Sequence, residues 1–357
     1  MNYAGIDMHT RNMAIAVLND NGELLALEKI DCCEKELEKF FNELKEPVQA
    51  VVEATSNWYW FSDWCTQQGI QLTLAHSKML KAISYAKVKT DSVDARTLAE
   101  LLRVDLIPKA SKIPRHQRDL RELTRTRLRL VAQRTRIQNQ VKATCKRYNA
   151  DLKKAGWYDL SHIEAILKDQ LPVEAMLEIS VYLKQIRLTQ EQIQRIEEGI
   201  EKSVWFNESV QRLREVPGIG KVVAWTIVSE IGDVKRFPTD RQFASYCRLA
   251  PGSKDSGDNR RHKSGCKDGN RYLKLAFMHA AVSAIQKCGP VRKYYNKIKR
   301  RSGQKTARAV VAKHLSRIVW HMLVKNEPFK KFKGQICNVS KYSGWPRPVN
   351  PHNWTGT

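Results

Sequence analysis

Four carboxylates in three separate stretches are the side chains of this sequence best suited to chemistry. Asp91 and Asp94 stand three residues apart in Val88-Lys-Thr-Asp91-Ser-Val-Asp94-Ala-Arg-Thr-Leu-Ala-Glu100. Ala95, Leu98, Leu101 and Leu102 recur there at helical spacing, so the two acids share one face of a helix's first turn. Adjacent carboxylates repel unless positive charge lies between them, and a divalent metal is the commonest such charge. In isolation a solvated first turn explains the pair better, because Asp is favoured there by capping and by the helix dipole. Asp7 and Glu53 alter that balance. Each closes a short apolar run, Tyr3-Ala-Gly-Ile-Asp7 and Gln49-Ala-Val-Val-Glu53. If these runs are neighbouring strands and the later helix crosses them, four acids meet in a space fit only for cations. Two Mg²⁺ ions roughly 4 Å apart would there activate an attacking group and stabilise a leaving oxygen in phosphodiester chemistry.

The elements that must hold these acids follow from the patterning of residues 1–110. Three strands come first, Tyr3–Asp7, Met13–Leu18 and Glu23–Ile30, with Asn21-Gly22 as the hairpin signal between the last two. An amphipathic helix over 34–44 carries Leu37, Phe40, Phe41 and Leu44; the strand ending at Glu53 follows. An aromatic helix (Trp58 to Trp64, read as core), a strand over 71–76 and the Asp91/Asp94 helix complete the region. The order βββαβαβα is that of an RNase H-like (RuvC-like) fold.

The bulk charge indicates a partner. The 357 residues carry 62 Lys and Arg against 37 Asp and Glu, a formal charge of +25. That excess favours a polyanion. Neither a lipidation signal, a signal peptide nor a bilayer-length apolar run appears, so nucleic acid is preferred to a membrane and a cytoplasmic location is expected. The eight cysteines lack CxxC spacing and are expected to be reduced thiols, without zinc.

Residues 111–205 form a basic helical region. Arg115, Arg118, Arg125 and Arg129 lie in its densely basic first part, and Ile179, Ile186, Ile193 and Ile200 repeat every seven residues in its second. This predicts two long helices with a narrow, coiled-coil-like apolar seam. The basic face suits nucleic-acid backbone; the seam fits self-association and an intramolecular antiparallel pair equally well. Residues 206–335 form a second, mostly helical domain. Val216-Pro-Gly218-Ile-Gly220-Lys221 has the form of a helix-hairpin-helix turn, whose glycines bring backbone N–H groups to a phosphate. The stretch 251–270 reads as a polar loop bearing Arg260, Arg261, Lys263 and Lys267 and three candidate nucleophiles, Ser253, Ser256 and Ser264. Lys89, before the acidic pair, is a candidate phosphate contact. The second domain also has a basic stretch, Lys297-Ile-Lys-Arg-Arg301, and a helix over 306–325; residues 336–357 read as a polar tail.

Taken together, Tyr-Ala-Gly-Ile-Asp7, Val-Val-Glu53, Lys-Thr-Asp91-Ser-Val-Asp94-Ala-Arg, Val-Pro-Gly-Ile-Gly220 and Pro-Gly-Ser-Lys-Asp-Ser256-Gly257 resemble the DEDD transposases of the insertion-sequence-110 family, relatives of Piv-type DNA invertases. The resemblance covers the chain to about residue 332. It implies that Asp7, Glu53, Asp91 and Asp94 bind Mg²⁺ and that Ser256 attacks the scissile phosphate, forming a covalent phosphoserine–DNA link. It also implies guidance by a non-coding bridge RNA that pairs with donor and target DNA, and assembly from dimer to tetramer with composite sites. Bacterial or archaeal nucleoid association follows from the same likeness. One departure is Cys266, where the family usually has a second serine. A Piv-like invertase, a RuvC-like nuclease using metal-activated water and a non-catalytic helix-hairpin-helix protein are the alternatives. The four acids weigh against the last, and the basic Ser-Gly stretch weighs against simple hydrolysis.

Overall fold

The computed structural model describes residues 1–55, 57–83, 90–152, 155–250, 252–256, 259–263 and 268–329, with backbone alone at 204–207, 252–256 and 259–263. Two compact units divide the chain, Met1–Arg115 and His116–Thr357.

The first unit comprises β1 (Asn2–Met8), β2 (Asn12–Leu18), β3 (Leu24–Asp31), α1 (Glu34–Asn42), β4 (Val48–Glu53), α2 (Trp58–Gln67), β5 (Gln71–Ala75), α3 (Ser77–Ile83) and α4 (Asp91–Arg103). The mixed sheet has the order β3-β2-β1-β4-β5; β1 pairs antiparallel with β2 and parallel with β4. Among these elements α3 is the addition to the pattern expected from the sequence. At seven residues it is too short to show a helical period.

Strand alternation sorts the side chains. Ala4, Ile6 and Met8 of β1 join Ala50 and Val52 of β4 in a core closed by Leu37, Phe40, Trp58, Phe61 and Trp64. Tyr3, Gly5 and Asp7 therefore face the other way, as do Gln49, Val51 and Glu53. Val51 packs there with Leu98 and Leu102 of α4. The register pairs Gly5 with Val51 and Ile6 with Val52, so the next step brings Asp7 beside Glu53.

Small residues let α4 lie close on this face. Ala14, Ala16 and Ala95 form one buried patch. A Cβ on Gly5 would stand 2.1 Å from the Ala95 carbonyl oxygen and 2.3 Å from the Ala99 nitrogen. Gly5 is thus the point where strand and helix backbones touch. It lies two residues before Asp7, and Ala95 directly follows Asp94.

The second unit holds α5 (Arg115–Arg147), α6 (Leu160–Lys168), α7 (Val173–Glu201), α8 (Val204–Arg214), α9 (Lys221–Ile231), α10 (Asp240–Tyr246), a ribbon of β6 (Gly252–Ser256) and β7 (Asn259–Lys263), α11 (Arg271–Lys287) and α12 (Gly289–Lys325). Helices α5 and α7 run antiparallel, as the pairs Arg127–Glu197 (2.6 Å) and Arg147–Glu178 (3.0 Å) require. The isoleucine seam of α7 is buried inside the chain: Ile179 and Ile186 pack with Ile137, Val141, Ile163 and Leu167, and Ile200 joins the core of the later helices. Two further departures from the expected pattern concern backbone. The Ser256 stretch is an antiparallel ribbon rather than a plain loop, and α12 begins at Gly289 and breaks at Gly303 (φ 76°) rather than starting near residue 306.

Candidate functional site

Helix α4 starts where its acids are needed. Thr90 caps it, accepting a hydrogen bond from the Val93 N–H, and the first turn presents Asp91 and Asp94. Asp91 Oδ1 lies 3.1 Å from His9 Nε2, and the same nitrogen lies 3.4 Å from Asp7 Oδ2. Ligand-type atoms of Asp7, His9 and Asp91 all fall within 4.8 Å of one another. Lys29 Nζ from β3 donates to Asp91 Oδ2 at 2.8 Å. Glu53 and Asp94 stand outside this tight group but close enough to act on it electrostatically. Burial pushes the Asp7 carboxyl above its ordinary range; His9 opposes the rise, while Asp94, Asp91 and Glu53 add to it. Hydrogen bonds from Lys29 and His9 hold the Asp91 carboxyl below the usual carboxylate range.

The loops after the two acidic strands are tied together. Asn57 Nδ2 donates to the His9 carbonyl at 2.7 Å, and Thr55 Oγ1 donates to Asn57 Oδ1 at 3.0 Å. His9, Lys29, Gly5 and Asn57 are contributors that patterning did not single out. Only His9 and Gly5 carried a local signal, the first two residues beyond Asp7 and the second a glycine inside a strand. Four carboxylates, each partly buried, suit a hard divalent cation. The Lys29 ammonium resting on Asp91 is a further sign that the cluster draws positive charge.

In the second unit a buried carboxylate organises the base of the serine ribbon. Glu230 of α9 is fully buried. It accepts from Arg121 Nε (2.8 Å), Arg125 Nε (2.6 Å) and Asn270 Nδ2 (2.6 Å). Asn270 also caps α11 by accepting from the Tyr272 and Leu273 N–H groups. Gly269, at φ 100°, lies so near the Tyr246 carbonyl that a Cβ would fall 2.3 Å from it. The Asn270 N–H donates to that carbonyl at 2.6 Å, and Arg248 Nε donates to the Gly269 carbonyl at 2.7 Å. The chain entering the ribbon and the chain leaving it are therefore pinned together at the end of α10. Ser256 and Asn259 form the ribbon's last residue pair.

Two of the expected nucleic-acid contacts need correction. Arg118 is 2 % exposed, and Arg125 is committed to Glu230 with its guanidinium over the Tyr272 ring at 4.6 Å. Arg118 lies buried in the interior, and Arg125 is one of the α5 arginines matched by acids of α7 and α9. Arg115 and Arg129 remain exposed. Between α8 and α9, Gly218 (φ 89°) packs against the α11 backbone, where a Cβ would lie 2.2 Å from the Ala280 oxygen. Gly220 is exposed at the start of α9, with open space around it. Lys221 pairs with Glu201 and lies over the Trp225 ring. Arg260, Arg261 and Lys263 lie on β7. Lys89, Lys267, Ser264 and Cys266 lie outside the described residues.

Residues 4–150 match a DEDD-type transposase family model of the IS110 group, and residues 210–296 match the transposase family of IS116, IS110 and IS902. The first segment contains the four acids and the second contains Ser256. The chain is 26% identical over 317 residues to a probable family 20 transposase of Pseudomonas aeruginosa, a likeness covering 84% of this chain and 91% of that protein. It is 23% identical to the transposase for insertion sequence element IS1328 of Yersinia enterocolitica, over 80% of this chain and 86% of that one. Against the transposase for IS1111A of Coxiella burnetii the identity is 22%, over 68% of each.

Proposed function

Given that the chain belongs to the transposase family of IS110, IS116 and IS902, we propose that it cuts and rejoins DNA through a phosphoserine link formed by Ser256. Asp7, Glu53, Asp91 and Asp94 hold divalent metal, Mg²⁺ in the cell, on an RNase H-like sheet. The observation that carries the reading is geometric: ligand atoms of Asp7, His9 and Asp91 lie within 4.8 Å of one another, Glu53 follows in the β1–β4 register beside Asp7, and Asp94 shares the first turn of α4 with Asp91. Bound metal supplies Lewis-acid stabilisation of charge on the transferring phosphoryl group and the leaving oxygen.

The chain's own groups do the rest. Ser256 Oγ forms a bond to phosphorus as the P–O3′ bond breaks; the serine proton is lost, and the departing oxygen is protonated to a 3′ hydroxyl. Attack by another 3′ hydroxyl reverses the step and restores the serine. Asn270, Gly269 and Arg248 position the ribbon that carries it. The α8–α9 turn acts as a helix-hairpin-helix contact through the exposed Gly220 and Lys221. Because the acids and Ser256 lie in different compact units, the reading includes composite sites in a dimer or tetramer. A bridge RNA pairs with donor and target DNA to choose the sites.

Denaturing gels of labelled DNA test the chemistry. The wild type is expected to leave a protein–DNA adduct that Ser256→Ala abolishes, and Asp91→Asn or Asp94→Asn is expected to lose strand cleavage while still binding DNA. If Ser256→Ala cleaves normally and Asp7→Ala does not, the protein is a nuclease that uses water. Sequencing the RNA that co-purifies tests guidance: one enriched structured species supports it, and random cellular RNA favours an invertase.

A further inference from the structure

From Arg271 to Asn326 the sequence has fourteen Lys and Arg and no Asp or Glu. Most of this charge lies on α11 and α12. The first half of α12 buries Val291 and Tyr295, with Ile298 packed against the same core. Its opposite face presents Lys293, Lys297, Arg300 and Arg301, all exposed. Spacings of three and four residues put these charges on one side of the helix, where like charges destabilise it. Cations near a helix N-terminus are opposed by its dipole as well.

A charge run is usually a solvated face, but solvated faces mix signs. Helix α5 offers the contrast inside the same unit. Its Arg121, Arg125, Arg127 and Arg147 are matched by Glu230, Glu197 and Glu178. Among the described residues the four cations of α12 have no acidic partner, and the acid-free stretch around them offers none nearby. Lys293 to Arg301 extends about 12 Å along the axis, and duplex DNA carries one phosphate per about 1.7 Å of its own axis. About seven phosphates thus fall within reach of four cations. Among the described residues no aromatic side chain is exposed on this face to stack a splayed base; Tyr294 is half-buried against His314, which disfavours single-stranded RNA.

We propose that the solvent face of α12 formed by Lys293, Lys297, Arg300 and Arg301 docks the phosphate backbone of duplex DNA without reading its sequence. The choice of DNA rests on the family; the surface itself is independent of the proposed chemistry. The test uses the full chain in EDTA, so that loss of catalysis leaves the readout intact. Binding of a fluorescein-labelled duplex of scrambled sequence is followed by anisotropy across a salt series. The variant combining Lys293→Gln, Lys297→Gln, Arg300→Gln and Arg301→Gln is expected to reduce the slope of log K against log salt by about 3 to 4, near 0.9 for each phosphate no longer neutralised. A charge-keeping variant, Lys293→Arg with Lys297→Arg, is expected to retain the wild-type slope. An unchanged slope in the glutamine variant, with a wild-type melting profile, would overturn the proposal and leave a solvated face. A slope change seen with RNA and not with duplex DNA would also overturn it.

Discussion

Replacing Gly5 with alanine tests the central claim that backbone contact between β1 and α4 places the acidic pair. The new Cβ would lie 2.1 Å from the Ala95 carbonyl oxygen and 2.3 Å from the Ala99 nitrogen. Both atoms belong to helix backbone, so no side chain can rotate away. Relief requires α4 to retreat by about 1 Å, and forcing one methyl into a packed interior costs about 1–3 kcal/mol. Asp91 and Asp94 ride on the first turn of that helix and move with it. A misplacement of about 1 Å in a reacting constellation costs on the order of 10²-fold in rate. The relevant assay pairs the strand-cleavage rate at saturating Mg²⁺, measured well below the unfolding transition, with the urea midpoint of the same sample. A modest fall in midpoint with a much larger fall in rate is expected. Wild-type cleavage together with a wild-type midpoint would refute the close approach and with it the placement of the pair.

Three other outcomes follow from named contacts. Glu230→Gln leaves Arg121 and Arg125 facing a neutral amide in a buried site; thermal unfolding should show a loss of about 3–5 kcal/mol, and an unchanged midpoint would mean that the network carries no net stability. Gly199→Ala, on an exposed turn of α7 with open space at the Cβ, should raise stability by about 0.5–1 kcal/mol, and a loss in the same melt would contradict that space. Burial pushes the Cys65 thiol up to about 12 and raises Cys247 as well, whereas Cys33 is exposed. Peptide mapping after brief maleimide treatment near neutral pH should find Cys33 modified and the other two intact; early labelling of Cys65 would show that its core opens.

Much of the first unit was legible because its signals are local. Short apolar runs marked β1, β2 and β4, and the leucines of α4 marked a helix whose first turn carries Asp91 and Asp94. The ribbon of Ser256 was not legible as strands, since Gly252–Ser256 and Asn259–Lys263 contain no apolar alternation. Its ladder and its pinned ends hold it instead. Likewise Lys293 to Arg301 read as a basic stretch, but only the packing of Val291 and Tyr295 shows which side of a helix those charges occupy.

Sequence alone was sufficient to single out the four carboxylates as candidates, the order of the elements that carry them and an excess of positive charge, because each depends on residue type and short-range period. Only the tertiary structure decided where the charges are spent. Arg118 is buried, and Arg125 turns inward because Glu230 lies on a helix more than a hundred residues away. His9 and Lys29 reach Asp91 because sheet order brings β1, β2 and β3 under the start of α4. Contacts between distant segments depend on how faces pack, and no local period encodes that.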